Sequence, residues 1–202
     1  QESFADIPKC IFNFHIEESE SDIIRRVFSM PHIRLKDNAK WGLGVITGNN
    51  EKICKKEKTK GCVPIYRGKD IMKNTLSEPS LYIDENLEGC RQVADMELYK
   101  SPEKVIYRFI SNRIVCFYDT EQRYILNSAN LFVLNEDFPI SYSQLVDLLN
   151  SDFMNWLFRS IFNTHKILRS DLEMLPIFHE YFKENEVFSE ESFKVYMTQT
   201  IA

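Results

Sequence analysis

The chain has 202 residues, 44% hydrophobic and 27% charged, which suits one globular domain of ordinary size, or one domain with an appendage, and excludes a wholly disordered chain. Its net charge of −5 argues weakly against a nucleic-acid partner, but the charge is unevenly distributed. Residues 41–80 contain eight Lys/Arg and four Asp/Glu, whereas residues 171–202 contain two Lys/Arg and seven Asp/Glu. The chain therefore combines a basic segment with an acidic tail.

Several features of the sequence predict a cytoplasmic location. No apolar run approaches the ~20 residues of a membrane span, and the N-terminus lacks the pattern of a signal peptide. The five cysteines are odd in number and scattered, so we expect free thiols in a reducing compartment. Because residue 1 is Gln and not Met, we also expect the chain to be part of a longer protein.

Apolar patterns predict the elements of the first 80 residues. An apolar run at residues 10–16 predicts a strand, and helical spacing predicts a helix over residues 19–29 with Ser21 as its N-cap. Residues 41–50 predict a strand that ends in a tight turn, since Gly and Asn tolerate positive φ. An exposed basic loop at residues 51–61 and an extended segment at residues 63–71, interrupted at Gly68, are expected to follow.

The remaining segments predict strands first and helices later. Residues 104–110 and 113–118 are β-like runs at hairpin spacing, and residues 123–134 supply another strand or two. Apolar residues at three- and four-residue steps predict one long helix over residues 143–162. Shorter helices are expected after a capping-box pattern at Ser170 and Glu173, and at residues 178–184 and 190–199. This order predicts an α+β fold, with a curved, mostly antiparallel sheet at about residues 41–135 followed by C-terminal helices.

The sequence lacks the motifs of several enzyme classes. Gly42, Gly44 and Gly48 do not have the spacing of a dinucleotide-binding loop, and no phosphate-loop lysine motif is present. Cys54 and Cys62 have no paired His or Cys nearby, so we expect no metal site. No Asp-x-Lys or Glu-x-Lys spacing of a metal-dependent nuclease occurs. We therefore expect no catalytic residues in this chain and interpret it as a binding module.

Five motifs in a fixed order carry a resemblance to a known family. They are WGLGVITGNN (41–50), PIYRGKDI (64–71), YILNSAN (124–130), LLNSDFMNWLF (148–158) and ILRSDLEMLPI (167–177). The set resembles the C-terminal target-recognition domain of Taq-type DNA adenine methyltransferases, which belong to type II restriction-modification systems. The resemblance covers roughly residues 30 to 180.

The resemblance implies a division of labour between two domains. In that family a separate N-terminal domain binds S-adenosylmethionine and methylates the exocyclic amine of a flipped adenine, using an Asn-Pro-Pro-Tyr-like motif. This sequence contains neither that motif nor a Gly-rich cofactor motif. The resemblance therefore implies a junction with the missing catalytic domain at residues 1–40, a target-recognition domain at 41–176, and a C-terminal helical extension at 177–202.

Candidate DNA-binding residues follow from the chemistry of base and phosphate recognition. The polar turn at residues 47–50 holds two amides that could pair with adenine, although the same residues suit a plain turn. An arginine beside Gly68 could contact guanine and the glycine could allow close approach of DNA, unless the glycine marks a bulge in an edge strand. Phosphates could be contacted by lysines of the basic loop, by cations near the hairpin tip and by cations before Ser170. The lysines also suit a solvated loop, and the cations before Ser170 also suit a helix dipole. The full set is Thr47, Gly48, Asn49, Asn50, Lys52, Lys55, Arg67, Gly68, Lys69, Arg108, Arg113, Lys166 and Arg169.

These observations predict sequence-specific binding of double-stranded DNA, which positions a target adenine for a methyltransferase domain in cis. The first alternative is a protein–protein interaction module within a restriction-modification complex. The second is a divergent endonuclease domain, against which the missing metal-carboxylate spacing already argues.

Overall fold

The computed structural model describes residues 18–162 and 164–201, so the strand predicted at residues 10–16 lies outside the described residues. The N-terminal helix and the strands of the first half are α1 (Glu18–Ser29), β1 (Ala39–Leu43), α2 (Asn50–Ile53), β2 (Cys62–Tyr66), β3 (Ile71–Met72), β4 (Thr75–Leu76) and β5 (Tyr82–Asp84). A short 3-10 turn, Gly68–Asp70, joins β2 to β3. The second half contains α3 (Met96–Tyr99), β6 (Lys104–Arg108), β7 (Cys116–Asp119), β8 (Tyr124–Ile125), β9 (Ala129–Leu134), α4 (Tyr142–Leu149), α5 (Asp152–Ile161), α6 (Arg169–Leu172), α7 (Tyr181–Glu184) and α8 (Glu190–Ile201).

Within the described residues, the strands form three small sheets. The largest is antiparallel with the order β1-β9-β6-β7, and it includes the hairpin predicted from residues 104–118. The second has the order β5-β2-β8, in which β2 is antiparallel to β5 and parallel to β8. The third is the β3-β4 hairpin. The α+β class with a mostly antiparallel sheet followed by helices is therefore confirmed.

The four-stranded sheet separates two hydrophobic clusters. Successive side chains of a strand point to opposite faces, and in β6 Val105 and Tyr107 belong to one cluster while Ile106 belongs to the other. The first cluster contains α1 and the C-terminal helices, and the second contains the two smaller sheets. Helices thus cover one face of the central sheet, and the β2-containing sheet covers the other.

The long helix predicted at residues 143–162 is two helices in the structure. The hydroxyl of Ser151 accepts a hydrogen bond from the amide of Met154 at 3.0 Å and so begins α5. The buried amide of Asn150 bonds both backbone groups of Cys116, at 2.8 and 2.9 Å, and ties the break to β7. The apolar period continues across the break, because both helices pack on the same face of the sheet.

Two predicted caps are wrong, and one turn is longer than predicted. Ser21 lies inside α1, which begins at Glu18. The N-cap of α6 is Leu168 rather than Ser170, and the Asp171 carboxylate accepts a hydrogen bond from the Leu168 amide at 3.3 Å. The β6–β7 connection spans residues 109–115 and is longer than the predicted two-residue turn, because its first residues pair with the segment before α6.

Candidate nucleic-acid interface

Four chain segments meet where several strands of the two larger sheets begin or end. Residues 67–69 follow β2, residues 127–128 join β8 to β9, residues 108–113 include the end of β6, and residues 164–169 precede and enter α6. The parallel pairing of Tyr66 with Ile125 and the antiparallel pairing of Arg108 with Ala129 bring the first three segments to the same end. We call these four segments the sheet-end surface.

Hydrogen bonds connect the segments of the sheet-end surface in a continuous chain. The amide of Gly68 donates to the Ser128 hydroxyl at 2.8 Å, and the Ser128 carbonyl accepts from the Phe109 amide at 2.9 Å. The Phe109 carbonyl accepts from Ile167 at 2.8 Å, and Ser111 donates to the His165 carbonyl at 3.1 Å. These hydrogen bonds fix the relative positions of the side chains that the four segments expose.

The sheet-end surface has a single sign of formal charge. Its four segments contain six Lys/Arg side chains and no Asp or Glu. Acidic partners come from neighbouring positions: Asp70 pairs with Arg67, Asp152 lies 3.7 Å from Arg113, and Glu173 lies 2.7 Å from Arg169. Within the described part of the chain, the exposed Lys69 and Lys166 have no ion-pair partner. The surface therefore presents an excess of positive charge.

Arg67 is held by its own neighbours. Its Nε and one Nη bind the two carboxylate oxygens of Asp70 at 3.0 and 3.1 Å, and that Nη also donates to Ser80 at 2.6 Å. Burial raises the pKa of Asp70, but the hydrogen bonds and charge of Arg67 outweigh burial and hold the pKa below its usual value. The fork of Arg67 that was predicted to contact guanine is thus already paired within the protein.

Gly68 is buried against the turn between β8 and β9. A Cβ added at Gly68 would lie 2.3 Å from the carbonyl oxygen of Ser128, so the glycine permits the close approach of two protein segments. The strand before it, β2, is the central strand of its sheet, so the alternative of an edge-strand bulge does not describe this glycine. Lys69, the next residue, is exposed.

The polar turn at residues 47–50 lies beside a different part of the chain. Ile46 pairs with Gln92, and Gly48, with φ of 80°, faces Arg91. The Asn49 side chain caps α2 by accepting from the Lys52 amide at 3.1 Å, and Asn49 itself is extended. The buried Thr47 hydroxyl donates to the Asn50 side-chain oxygen at 2.6 Å. Each amide oxygen therefore already accepts one hydrogen bond, which leaves one lone pair and the NH₂ group of each for a base.

The basic loop lies at the other end of β2 from Gly68. The Lys55 amino group donates to Thr59 at 3.1 Å and to the Cys62 sulfur at 3.3 Å, where β2 begins. Five residues of extended chain, about 16 Å, separate Cys62 from Arg67. Lys52, in α2, is exposed. The structure thus divides the predicted cations into two groups at the two ends of β2.

The remaining predicted cations lie on the sheet-end surface. Arg108 Nε donates to the Ile71 carbonyl at 2.7 Å and so ties the end of β6 to the segment after Gly68. Arg113 is exposed at the far side of the same loop. Lys166 lies over the Phe109 ring at 5.8 Å, and Arg169 lies over the Trp41 ring at 5.7 Å. Arg108 is thus partly engaged in structure, whereas Lys166 and Arg113 are more accessible to a ligand.

Three further residues complete this surface but were not among the predicted site residues. Ser128 bonds both Gly68 and Phe109, and Asn127 beside it is exposed. Ile110 is 62% exposed at the start of the β6–β7 loop. The motif YILNSAN already contained the first two, but their role depends on pairing with Gly68, which is 60 residues distant in sequence.

A search of residues 18–162 and 164–201 finds no cluster of three or more His, Cys, Asp or Glu side chains suited to bind a metal ion. The cysteines in those residues, Cys54, Cys62, Cys90 and Cys116, are free thiols. No helix in the same residues is long and apolar enough to cross a membrane.

Comparison with known proteins defines the class of this chain. Residues 63–177, more than half of the chain, match the model of the TaqI-like C-terminal specificity domain. The chain therefore belongs to the family of TaqI-like C-terminal specificity domains, as its five motifs predicted. The matched residues include the whole sheet-end surface, whereas the polar turn at residues 47–50 and the basic loop at 51–61 precede them.

Two relatives are similar over part of their length. A segment of 73 residues is 42% identical to the type II methyltransferase M.VspI of Vibrio sp. (strain 343), covering 36% of this chain and 18% of that protein. The solved HsdS subunit from Thermoanaerobacter tengcongensis aligns with a TM-score of 0.48 and 14% identity, covering 88% of this chain and 41% of that one. The chain thus matches less than half the length of either relative.

Proposed function

We propose that this chain recognises a specific sequence of double-stranded DNA for an adenine-specific DNA methyltransferase of a restriction-modification system. The observation that carries the proposal is the sheet-end surface, with six Lys/Arg and no Asp or Glu in its four linked segments. Phosphate contacts supply affinity and set the register of a protein on the duplex, while base edges supply specificity. Membership of the specificity-domain family supports the same function.

The surface divides these tasks between its side chains. Lys69 and Lys166 have no acidic partner among the described residues and are exposed, so they suit phosphate contacts. Asn127 is exposed at the tight turn between β8 and β9 and offers both a donor and an acceptor to a base edge. Because hydrogen bonds hold these segments in fixed relative positions, their side chains contact the duplex in a fixed arrangement.

Chemistry on the adenine belongs to a methyltransferase domain joined in cis, which we propose binds S-adenosylmethionine. Moving an adenine out of the stack costs a few kcal/mol. DNA contacts made by the sheet-end surface offset part of that cost by holding the duplex beside the catalytic domain.

A salt titration of DNA binding tests the proposal directly. Fluorescence anisotropy with a labelled duplex should show that log K falls linearly with log salt concentration, by about 0.9 per phosphate contact. The double variant Lys69→Ala/Lys166→Ala should lower that slope by about 2. Lys36→Ala is the matched control, because Lys36 is exposed in the turn before β1, at the opposite end of the sheet.

Three results would count against the proposal. The first is no salt-dependent binding of DNA by the chain, and the second is a double variant with the same slope as the wild type. The third is an equal loss in Lys36→Ala, which would show that general charge and not this surface binds DNA. Selection from a random duplex pool then tests specificity: enrichment of one sequence is expected, and its absence would leave only non-specific binding.

One observation favours a second candidate function, an interaction module for another protein. A groove of about 660 Å³ between α1, α5 and α8 is lined by Ile23, Phe153, Phe193 and Met197. Exposed apolar grooves of this kind occur at protein–protein contacts. If the chain binds no DNA at any salt concentration but forms a stable complex with a methyltransferase or nuclease subunit, this second function replaces the first.

A further inference from the structure

Two exposed large apolar side chains lie within the cationic sheet-end surface, Ile110 and Leu168, and Leu168 is 41% exposed. Ile110 is 62% exposed, more than the other large hydrophobic residues of this surface. It stands directly after Arg108 and Phe109, and its backbone pairs with Lys166. An isoleucine in such a charged and solvated position contributes nothing to the core.

The backbone of Ile110 is held on both sides. The Phe109 amide donates to the Ser128 carbonyl, and the Phe109 carbonyl accepts from Ile167, at 2.9 and 2.8 Å. On the other side the Ser111 amide donates to the His165 carbonyl at 3.1 Å. Since a β-branched side chain also has few χ1 rotamers, Ile110 presents its methyl groups in a nearly fixed direction.

The charges around Ile110 identify the kind of partner. Lys166 pairs with it across the bridge and lies over the Phe109 ring, and Arg108 and Arg113 flank the same loop. An apolar protein surface does not need this ring of cations, whereas a duplex brings phosphates on both sides of each groove. The major groove of DNA offers one apolar group, the C5-methyl of thymine.

We propose that Ile110 contacts the C5-methyl group of a thymine in the recognised sequence and so helps to set specificity. This inference rests on the DNA-binding function proposed above. The cations on either side of Ile110 bind the phosphates that border the groove, and the fixed backbone brings the side chain to one base pair. The contact favours T·A over the other pairs at that position, because only thymine carries the methyl group.

Replacement of thymine by deoxyuridine tests the proposal, because it removes the methyl group and keeps the Watson–Crick and groove hydrogen bonds. Each thymine of the selected duplex is replaced in turn, and the Kd of the full chain is measured. At one position the substitution should weaken wild-type binding about four-fold, the factor for one methyl-sized group withdrawn from an apolar contact. In Ile110→Ala the ratio of the two Kd values at that position should fall to about 1.

Val187→Ala is the matched control, because Val187 is 73% exposed between α7 and α8 and lies outside both the sheet-end surface and the apolar groove. It should retain the four-fold ratio. The proposal is overturned if no thymine of the site is sensitive, or if Ile110→Ala keeps the sensitivity. It is also overturned if Ile110→Ala weakens thymine and deoxyuridine duplexes equally, which would indicate insertion between base pairs. If the wild type shows no salt-dependent binding of DNA, the DNA-binding function itself is refuted.

Discussion

The close approach of Gly68 to Ser128 predicts a measurable loss of stability in Gly68→Ala. The added Cβ would lie 2.3 Å from the Ser128 carbonyl oxygen and 3.0 Å from its carbon, so the turn must move by about 0.7 Å to restore a tolerable contact. Overpacking of this kind costs about 1–3 kcal/mol, and the smaller entropy of the unfolded alanine chain offsets about 0.4–1 kcal/mol. We expect a net loss of about 1–2 kcal/mol, and a Tm lower by about 2–8 °C.

Urea denaturation of the wild type, Gly68→Ala and Gly42→Ala provides the measurement. Gly42 is the matched control, because the three atoms nearest to its added Cβ belong to side chains and not to the backbone: the ends of Leu131 and Leu98 at 3.1 Å, and the Cβ of Ala94 at 3.3 Å. The loss of stability in Gly42→Ala should therefore be smaller than the loss in Gly68→Ala. Equal stability of Gly68→Ala and wild type, or a larger loss in Gly42→Ala, would refute the argument that the Ser128 carbonyl occupies this space.

Two further predictions concern ion pairs. The fully buried Lys104 lies 2.5 Å from Asp119, so Lys104→Met should lower the free energy of unfolding by about 3 kcal/mol in urea denaturation, and a loss below about 1 kcal/mol would contradict it. Because Arg67 holds the folded-state pKa of Asp70 below its usual value, their pairing stabilises the fold above about pH 4, and this stabilisation is lost as the pH falls through the lowered pKa. Urea midpoints from pH 6 down to pH 2 should therefore fall less steeply in Asp70→Asn than in wild type, and parallel curves would contradict this assignment.

The strands of the central sheet could be predicted because their pattern reflects its two covered faces. In the β6–β7 hairpin, side chains alternate between two separate hydrophobic clusters, and both strands therefore appear as apolar runs. The order of strands before helices followed from the change of period near residue 142. These features depend on near neighbours in the sequence, which is why local patterns were sufficient.

The break in the long helix and the partners of the site residues depend on distant residues. Asn150 ends α4 while bonded to Cys116, 34 residues away, although the apolar period runs on unchanged. Gly68 was predicted to allow the close approach of DNA. In the structure its contact with Ser128 gives it a structural role. Asp70 lies only three residues from Arg67 in the sequence, but no sequence pattern indicates that the two side chains pair. The sequence shows where the cationic residues occur, but it does not show which of them already form ion pairs within the protein.

Under the proposed DNA-binding function, the same contacts indicate which positions of the surface can change when the recognised sequence changes. Gly68 and Ser128 join two sheets through backbone and side-chain bonds, so substitution there alters the frame itself. Ile110, Asn127 and Lys166 extend from that frame into solvent, and replacing any of them leaves the hydrogen bonds between the segments intact. We therefore expect variation in specificity to concentrate at exposed positions of the loops, while the glycine–serine contact stays the same for any recognised sequence.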